Sequence, residues 1–286
     1  MSESERRPTR GRAPLPDVLA LGALRRSQPE LATAIDLHLE LLEVQRRVLP
    51  RIPVTTLDVS PALLATHQAT GSPILRYADI PIDITSLRLL VRQTAEVLQR
   101  FGMLDDEDAA RAQTIGRDAG LEQAATEWFA RSITRHRDGL RPPPDGGMPD
   151  DVMALALRPF LLRCAETLQP RAELAVWTHA HCPLCGGEPD LAVLDTTGAR
   201  TLICGQCTLR WSWHDEGCPL CPAGTSARVT SFATPDQRYR VYGCEHCRRY
   251  LKAYDVRRGD RPVMPVVDGV ATLPLDAAAQ QRGYTG

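Results

Sequence analysis

Lysine is almost absent from this sequence of 286 residues, in which Lys252 stands beside 33 arginines. That imbalance indicates the coding bias of a GC-rich genome and carries no functional signal. Charge of one sign does not dominate either, because the formal net charge is −1 and the pI is near 6.7. The composition therefore gives no reason to expect a polyanionic partner.

Long hydrophobic runs and targeting signals are missing as well. No stretch approaches the roughly 18 apolar residues that a membrane-spanning helix needs, so we expect no membrane span. Arg6 and Arg7 could begin a twin-arginine signal, but no clean apolar segment with a small-residue cleavage site follows them. We therefore expect a cytoplasmic protein whose first 16 residues form a disordered tail.

Cysteine, by contrast, is abundant: there are nine, and eight of them form four Cys-x-x-Cys pairs. The two intervening residues allow a tight turn, here called a knuckle, that aims both sulfur atoms at one ion. Without a secretory signal this pattern favours metal binding over disulfides, and the βαβ context of a thioredoxin-type redox motif is missing. The candidate metal ligands are Cys182, Cys185, Cys204, Cys207, Cys218, Cys221, Cys244 and Cys247.

The spacing of the pairs predicts two four-thiolate sites. Eighteen residues separate the first pair from the second, which fits a known four-cysteine pattern, and twenty-two separate the third from the fourth, which is slightly long. Cys-Pro-Leu-Cys occurs at both Cys182 and Cys218, which indicates a tandem duplication. Sequential pairing closes the shorter loops and is favoured on entropy, while cross-brace pairing is the alternative. Four thiolates suit either iron or zinc.

The residues around the cysteines favour neither catalysis nor nucleic-acid binding. Such sites would be filled, whereas a catalytic zinc keeps an open position, and the sequence has no Gly-rich phosphate loop or Ser/His/Asp set. Residues 181–254 carry eight basic and seven acidic side chains, so two divalent four-thiolate sites bring their net charge from +1 to about −3, which disfavours a phosphate backbone. We expect Trp211 and Trp213 to fill the core, and His181 and His246 to hydrogen-bond thiolates rather than bind metal.

Hydrophobic periodicity places helices before about residue 177 and short strands after it. We predict helices at 31–49, 87–101 (capped by Thr85 and Ser86), 121–136, 150–168 and 274–281, with a break at 141–147 and a long connection at 54–82 that packs against a neighbouring domain. Strands are predicted at 191–194, 200–203, 227–232, 239–242 and 250–254. Cys164 falls in an apolar helix and should be a buried, unreactive thiol.

These patterns predict an α+β protein: a helical N-terminal domain followed by two tandem small β-rich metal modules, rubredoxin-like or zinc-ribbon-like, with four cysteines each. The helical domain carries no candidate ligand, so we expect it to fold without metal. The expected division is a tail at 1–16, the helical domain at 17–179, metal modules at 180–215 and 216–256, and a C-terminal extension with a short helix at 257–286.

Residues 180–284 resemble the formate dehydrogenase accessory protein FdhE family. The resemblance is carried by His-Cys-Pro-Leu-Cys-Gly-Gly from His181, by Trp211 after the second pair, by Cys-x-x-Cys-x-x-Tyr-Leu-Lys ending at Lys252, and by the C-terminal run that begins Val-Asp-Gly at Val267. Gly269 departs from the family's pattern, where an acidic residue is expected. The helical part is compatible with the family but has no sharp motif.

The resemblance implies a cytoplasmic, non-enzymatic maturation factor, or chaperone, with rubredoxin-like cysteine modules that can hold iron, zinc being possible instead. Such proteins associate with the catalytic subunit of a molybdenum or tungsten formate dehydrogenase and are needed for its activity. Only the eight paired cysteines carry over as site residues. The alternative is a zinc-ribbon nucleic-acid-binding or transcription-associated protein.

Overall fold

The computed structural model describes residues 15–138, 148–169, 177–215, 217–221 and 227–286. The predicted break at 141–147 and nearly all of the predicted N-terminal tail lie outside these residues. The helices of the described part are α1 (Pro16–Ser27), α2 (Ala32–Val48), α3 (Pro61–Thr70), α4 (Ile84–Arg100), α5 (Asp106–Ile115), α6 (Leu121–Asp138), α7 (Asp150–Leu168), α8 (Pro265–Ala271) and α9 (Leu273–Gln281). Among these residues no helix is long and apolar enough to cross a membrane.

Helix α4 shows how local sequence sets the helix ends. Its N-cap is Asp83, whose carboxylate accepts the backbone N–H groups of Thr85 at 3.4 Å and Ser86 at 2.9 Å. The predicted Thr85–Ser86 cap is therefore wrong by two residues, because the earlier aspartate supplies a better acceptor for the first turn. The helix ends before Gly102, whose φ of 70° is the left-handed conformation that glycine permits.

Helix α7 lies at the centre of the helical region and packs on α4 and α2. It keeps Pro159 in its interior and buries Met153, Leu157 and Phe160 completely. Cys164 is also fully buried on this helix. Burial raises the pKa of its thiol to about 12, so Cys164 stays protonated and unreactive at neutral pH, as the sequence predicts.

The connection between α2 and α4 reaches the cysteine region. It contains the short helix α3 and then pairs with the first knuckle, because the N–H groups of Ile74 and Leu75 donate to the carbonyls of Pro183 at 3.0 Å and Leu184 at 2.9 Å. From the sequence, this connection is expected to pack against a neighbouring domain, and the structure shows it in contact with the first cysteine module. Two backbone hydrogen bonds thereby attach the helical region to the first knuckle.

Within the described ranges the strands form one six-stranded sheet with the order β3-β2-β1-β6-β5-β4. Two antiparallel three-stranded halves, β1–β3 and β4–β6, meet where β1 and β6 run parallel, with Leu191 opposite Lys252. The strands are β1 (Pro189–Leu194), β2 (Arg200–Cys204), β3 (Arg210–Trp213), β4 (Val229–Ala233), β5 (Tyr239–Cys244) and β6 (Tyr250–Asp255). The α+β fold class with two cysteine modules is confirmed. The structure also shows that the two modules share one sheet, which the sequence did not predict.

One hydrophobic core runs from the helices into the sheet. It joins buried side chains of α4 and α7 to Cys182, Leu202 and Trp211, and the predicted core role of Trp211 is confirmed by its 1% exposure. The boundaries of the predicted domains remain a prediction, but this packing means that the helical region and the first cysteine module share buried surface.

The C-terminal extension packs on both regions. Helix α8, which the sequence did not predict, places Val267 and Val270 against Leu21 and Ile35 of the first two helices. The carboxylate of Asp268 is fully buried. It accepts hydrogen bonds from the Tyr239 hydroxyl at 2.6 Å, from Arg261 and from a backbone N–H, so the extension is bonded to β5 while its apolar face covers α1 and α2.

Candidate metal centres

The first four thiols meet in one buried group, here called centre 1. Its members are Cys182, Cys185, Cys204 and Cys207, whose sulfur atoms all lie within 4.8 Å of one another. The Sγ–Sγ distances are 3.6 Å for Cys182–Cys207 and 3.5 Å for both Cys185–Cys204 and Cys185–Cys207. Each of these residues is at most 1% exposed.

Centre 2 is built from Cys218, Cys221, Cys244 and Cys247, again within 4.8 Å. Its measured Sγ–Sγ distances are 3.8 Å for Cys218–Cys247 and 3.8 Å for Cys221–Cys244. Cys221 and Cys247 are only partly buried. The thiols thus group in chain order, as sequential pairing predicts, and the cross-brace alternative is wrong.

The knuckles share one backbone geometry. In centre 1 the N–H of Leu184 points at Sγ of Cys182, and the N–H of Gln206 points at Sγ of Cys204, both at 3.4 Å. In centre 2 the N–H of Leu220 lies 3.3 Å from Sγ of Cys218. Such N–H donors favour the thiolate form of the sulfur, which is the form that binds metal.

The residue after a pair adopts a left-handed conformation in each of the three knuckles for which the structure describes that residue. These residues are Gly186 with φ of 75°, Thr208 with φ of 60° and Arg248 with φ of 57°. Two of the three are not glycine, so the fold forces a conformation that L-residues rarely adopt. The left-handed conformation is therefore imposed by the knuckle turn and does not depend on a glycine at that position.

The distances fit tetrahedral metal coordination. A tetrahedron with metal–sulfur bonds of about 2.3 Å has sulfur–sulfur edges of about 3.8 Å. The edges of centre 2 have this length, and those of centre 1 are 0.2 to 0.3 Å shorter. Both groups could hold one ion each, and the cysteines are free thiols rather than disulfides.

Thiol electrostatics also favour a cation in these groups. Burial raises the pKa of the Cys207 thiol, and the neighbouring thiols of Cys182, Cys185 and Cys204 act in the same direction. Burial raises the pKa of Cys218 in centre 2 as well. Four sulfurs at this spacing do not all ionise unless a positive ion compensates their charge, so the donor sets suit a thiophilic metal.

Neighbouring polar groups attach the centres to the rest of the protein. His181 does not direct Nε2 at a sulfur, because this atom lies 2.8 Å from the carbonyl oxygen of Gly71. Arg249, two residues beyond Cys247, forms a two-pronged ion pair with Glu188, three residues beyond Cys185. This pair bridges the two centres, and its long sequence separation left no signal in the sequence.

Arg158 on α7 is a further residue that the sequence did not reveal. Its guanidinium NH1 donates to the carbonyl oxygen of Gly205 at 2.6 Å, inside the second knuckle of centre 1. Gln169, at the end of the same helix, exchanges two hydrogen bonds with the backbone of Arg210 at the start of β3. The helical region therefore holds both knuckles of centre 1, and centre 2 lies at the far half of the sheet.

Comparison with known proteins identifies similar chains. No protein-family model matches this chain. It is 27% identical over 147 residues to an FdhE homolog of Aquifex aeolicus, covering 49% of this chain and 52% of that protein. It is 30% identical over 132 residues to an FdhE homolog of Actinobacillus pleuropneumoniae, covering 45% and 43%. The matched part thus spans about half the length of these curated relatives.

A solved structure shares the fold. The crystal structure of the FdhE protein from Pseudomonas aeruginosa matches with a TM-score of 0.62 at 20% identity, covering 94% of this chain and 91% of that one. The resemblance that the cysteine motifs carry is therefore confirmed: the curated relatives bear the FdhE name, and the chain shares the fold of the Pseudomonas aeruginosa FdhE protein.

Proposed function

We propose that this protein, a relative of the FdhE proteins, is an accessory protein that a formate dehydrogenase needs for its activity. The observation that carries the proposal is the pair of four-cysteine groups in tandem, on a fold shared with an FdhE protein. It acts as a maturation factor in the cytoplasm, contacts the catalytic subunit of its client, and has no catalytic activity of its own.

The proposed cofactor is iron, one ion in each centre, with zinc as the possible substitute. The ligands are the four thiolates of centre 1 and the four of centre 2. Both metals accept tetrahedral sulfur coordination, so the donor set alone does not choose between them. Elemental analysis with a visible spectrum of anaerobically purified protein distinguishes them, because ferric iron in a thiolate site absorbs visible light and zinc does not. Zinc without iron would contradict the iron assignment.

The coordination that the two centres offer supports a non-catalytic role. Four thiolates complete a tetrahedral shell, so a metal held here has no open position for substrate or water. The residues that hold centre 1 are packed in the protein core, where their sulfurs are closed off from solvent. Centre 2 reaches the surface through Cys221 and Cys247, and it can therefore contribute to a protein contact surface.

The nucleic-acid alternative has little support from the surface charges. Arg248 and Arg249 are the local basic patch that could contact phosphates, but Arg248 pairs with Glu245 at 2.7 Å and Arg249 pairs with Glu188. With metal in both centres the cysteine region carries excess negative charge, which repels a phosphate backbone.

Deletion of the gene in its host tests the proposed function. We expect formate dehydrogenase activity to be lost while the client's messenger RNA and polypeptide persist, because a maturation factor acts after translation. The wild-type gene should restore activity, and so should a Cys164→Ser version, whereas a Cys182→Ser/Cys185→Ser version should not. Normal activity in the deletion strain would refute the accessory role, and loss of the client transcript would favour the nucleic-acid alternative.

A further inference from the structure

Arg158 brings a charged side chain of the helical region to the backbone of a cysteine knuckle. It comes from the middle of α7 and donates to the carbonyl oxygen of Gly205 at 2.6 Å. Gly205 follows Cys204 directly and precedes Cys207 by two residues. The guanidinium group therefore sits against the turn that presents two of the four sulfurs of centre 1.

The charge of Arg158 lacks a close carboxylate partner. Among the described residues it makes no ion pair, and its hydrogen bond is to a neutral carbonyl. Burial lowers the pKa of the guanidinium, whereas Asp190, the thiols of Cys204 and Cys207, and Asp17 raise it. Because a partly buried cation is costly when its charge is not compensated, the adjacent sulfur atoms of Cys204 and Cys207, once they are ionised, add to the compensation that Asp190 gives.

Three arginines that follow centre 2 or share helix α7 have carboxylate partners. Arg249 pairs with Glu188, and Arg248 pairs with Glu245. Arg163, on the same helix as Arg158, pairs with Glu166 at 2.9 Å on an exposed face. Arg158 is thus distinguished from these arginines by a positive charge that no carboxylate of the described residues takes up at short range.

We propose that Arg158 is the charge-compensating positioning residue of centre 1, which holds the second knuckle by its hydrogen bond and stabilises the negative four-thiolate metal site by its charge. The inference rests on the proposed metal binding. A four-thiolate site carries −2 with a divalent ion and −1 with a trivalent ion, so the positive charge stabilises the divalent form more. Centre 1 consequently keeps its ion longer and, when loaded with iron, has a higher midpoint potential than it would without Arg158.

The test compares three full-length variants loaded with one metal. Arg158→Gln removes the charge but leaves a side chain that can donate to a carbonyl, Arg158→Lys keeps the charge, and Arg163→Gln is the matched control on the same helix. Release of metal to an excess of chelator is followed by absorbance, with release from centre 2 as the internal reference. We expect Arg158→Gln to release the ion of centre 1 about tenfold faster, Arg158→Lys to stay within about twofold of wild type, and Arg163→Gln to match wild type.

The midpoint potential separates the charge from a purely structural role. In the iron-loaded protein, Arg158→Gln should lower the midpoint potential of centre 1, whereas Arg158→Lys should keep it near the wild-type value. The midpoint potential of centre 2 should be the same in all variants. An unchanged potential and release rate in Arg158→Gln, or equal changes in the Lys and Gln variants, would overturn the proposal. A wild-type protein that binds no metal would overturn both this inference and the proposed metal sites, whereas normal binding with an unaffected Arg158→Gln would overturn this inference alone.

Discussion

Single residues beside centre 1 have little room to change. An ideal Cβ on Gly187 would lie 2.9 Å from Sγ of Cys204, closer than such atoms approach in proteins, and in tight contact at 3.1 Å with the side-chain amide carbon of Gln206. By contrast, a Cβ on Gly269 in α8 would meet nothing within 4 Å. Gly269, which departs from the family pattern, therefore has room for a side chain. Position 187 must be glycine, because the sulfur of Cys204 lies too close for any side chain.

This contrast predicts opposite effects of two glycine-to-alanine changes. Gly187→Ala should lower the free energy of unfolding by about 1–3 kcal/mol through overpacking and weaken metal retention in centre 1. Gly269→Ala should raise the free energy of unfolding by about 0.5–1 kcal/mol, because alanine favours a helix interior. Denaturant unfolding and metal content measure both effects, and a Gly187→Ala protein as stable and as metal-rich as wild type would contradict the packing argument.

His67 is the buried group whose titration should lower stability in acid. It is 4% exposed, stacks on Trp177 with ring centroids 4.0 Å apart, and contacts the carbonyl of Ser72 through Nδ1. Burial lowers its pKa below the ordinary 6.5, an effect that the Ser72 hydrogen bond only partly opposes. The unfolded chain therefore binds a proton at a pH where the folded chain does not, and stability falls as the pH drops below about 6.5.

The pH effect is tested with His67→Gln, which cannot titrate. The melting temperature of wild type should fall more between neutral and mildly acidic pH than that of the variant, even if the variant starts lower because it loses the stacking on Trp177. The pKa of His38 is also lowered by burial, but His38 is present in both proteins, so the difference reports on His67. Parallel pH profiles would rule out this role for His67.

At the scale of elements, the two centres differ in their surroundings. Centre 1 is enclosed by α7, the segment that follows α3 and the sheet, and its cysteines are at most 1% exposed. Centre 2 packs mainly with its own knuckles and with Leu220, Ala227 and Val229. The more open centre offers chelators and alkylating reagents an easier approach.

We therefore predict two phases of metal loss. Chelator should empty centre 2 first, and a thiol reagent added during the first phase should modify Cys221 and Cys247 before any cysteine of centre 1. Mass spectrometry of the labelled peptides identifies the order. Loss from both centres at one rate, or earlier labelling of Cys182 or Cys185, would contradict the difference in burial.

Elements with a strong local signal were predictable from the sequence. The helical period gave α2, α4, α6 and α7. The spacing of the Cys-x-x-Cys pairs was enough to predict both sulfur groups and their sequential order, because loop entropy favours local closure. The candidate site was thus largely visible before the fold was known.

Elements that depend on tertiary contacts were missed. Strand β3 has four residues and alternates arginine and serine with tryptophan. This pattern is too short to predict a strand by itself. Helix α8 is rich in valine and contains a glycine, which have low helix propensity, and its burial against α1 and α2 stabilises it instead. The parallel pairing of β1 with β6 and the role of Arg158 join residues far apart in sequence, for which one sequence offers no local pattern.

For the whole molecule, the shared core changes what metal removal should do. From the sequence, the helical domain is expected to fold without metal. Because buried residues of α7 pack in one core with Cys182 and Trp211, we expect Cys182→Ser to lower the melting temperature of the helical region by several degrees, while Cys218→Ser leaves it within about a degree. Hydrogen exchange measures the same loss of stability locally, as weaker protection of the amides of α4 and α7 in Cys182→Ser than in Cys218→Ser. Equal protection of these helices in the two variants would show that the helical region is independent of centre 1.

The proposed metal sites, two sequential groups of four cysteines with one ion each, are tested by the metal stoichiometry of cysteine variants. Anaerobically purified wild type and Cys164→Ser should each contain about two ions per chain. Cys182→Ser/Cys185→Ser and Cys218→Ser/Cys221→Ser should each contain about one, and the protein with all four changes should contain none. Two ions retained in either double variant, or none in wild type, would contradict the account.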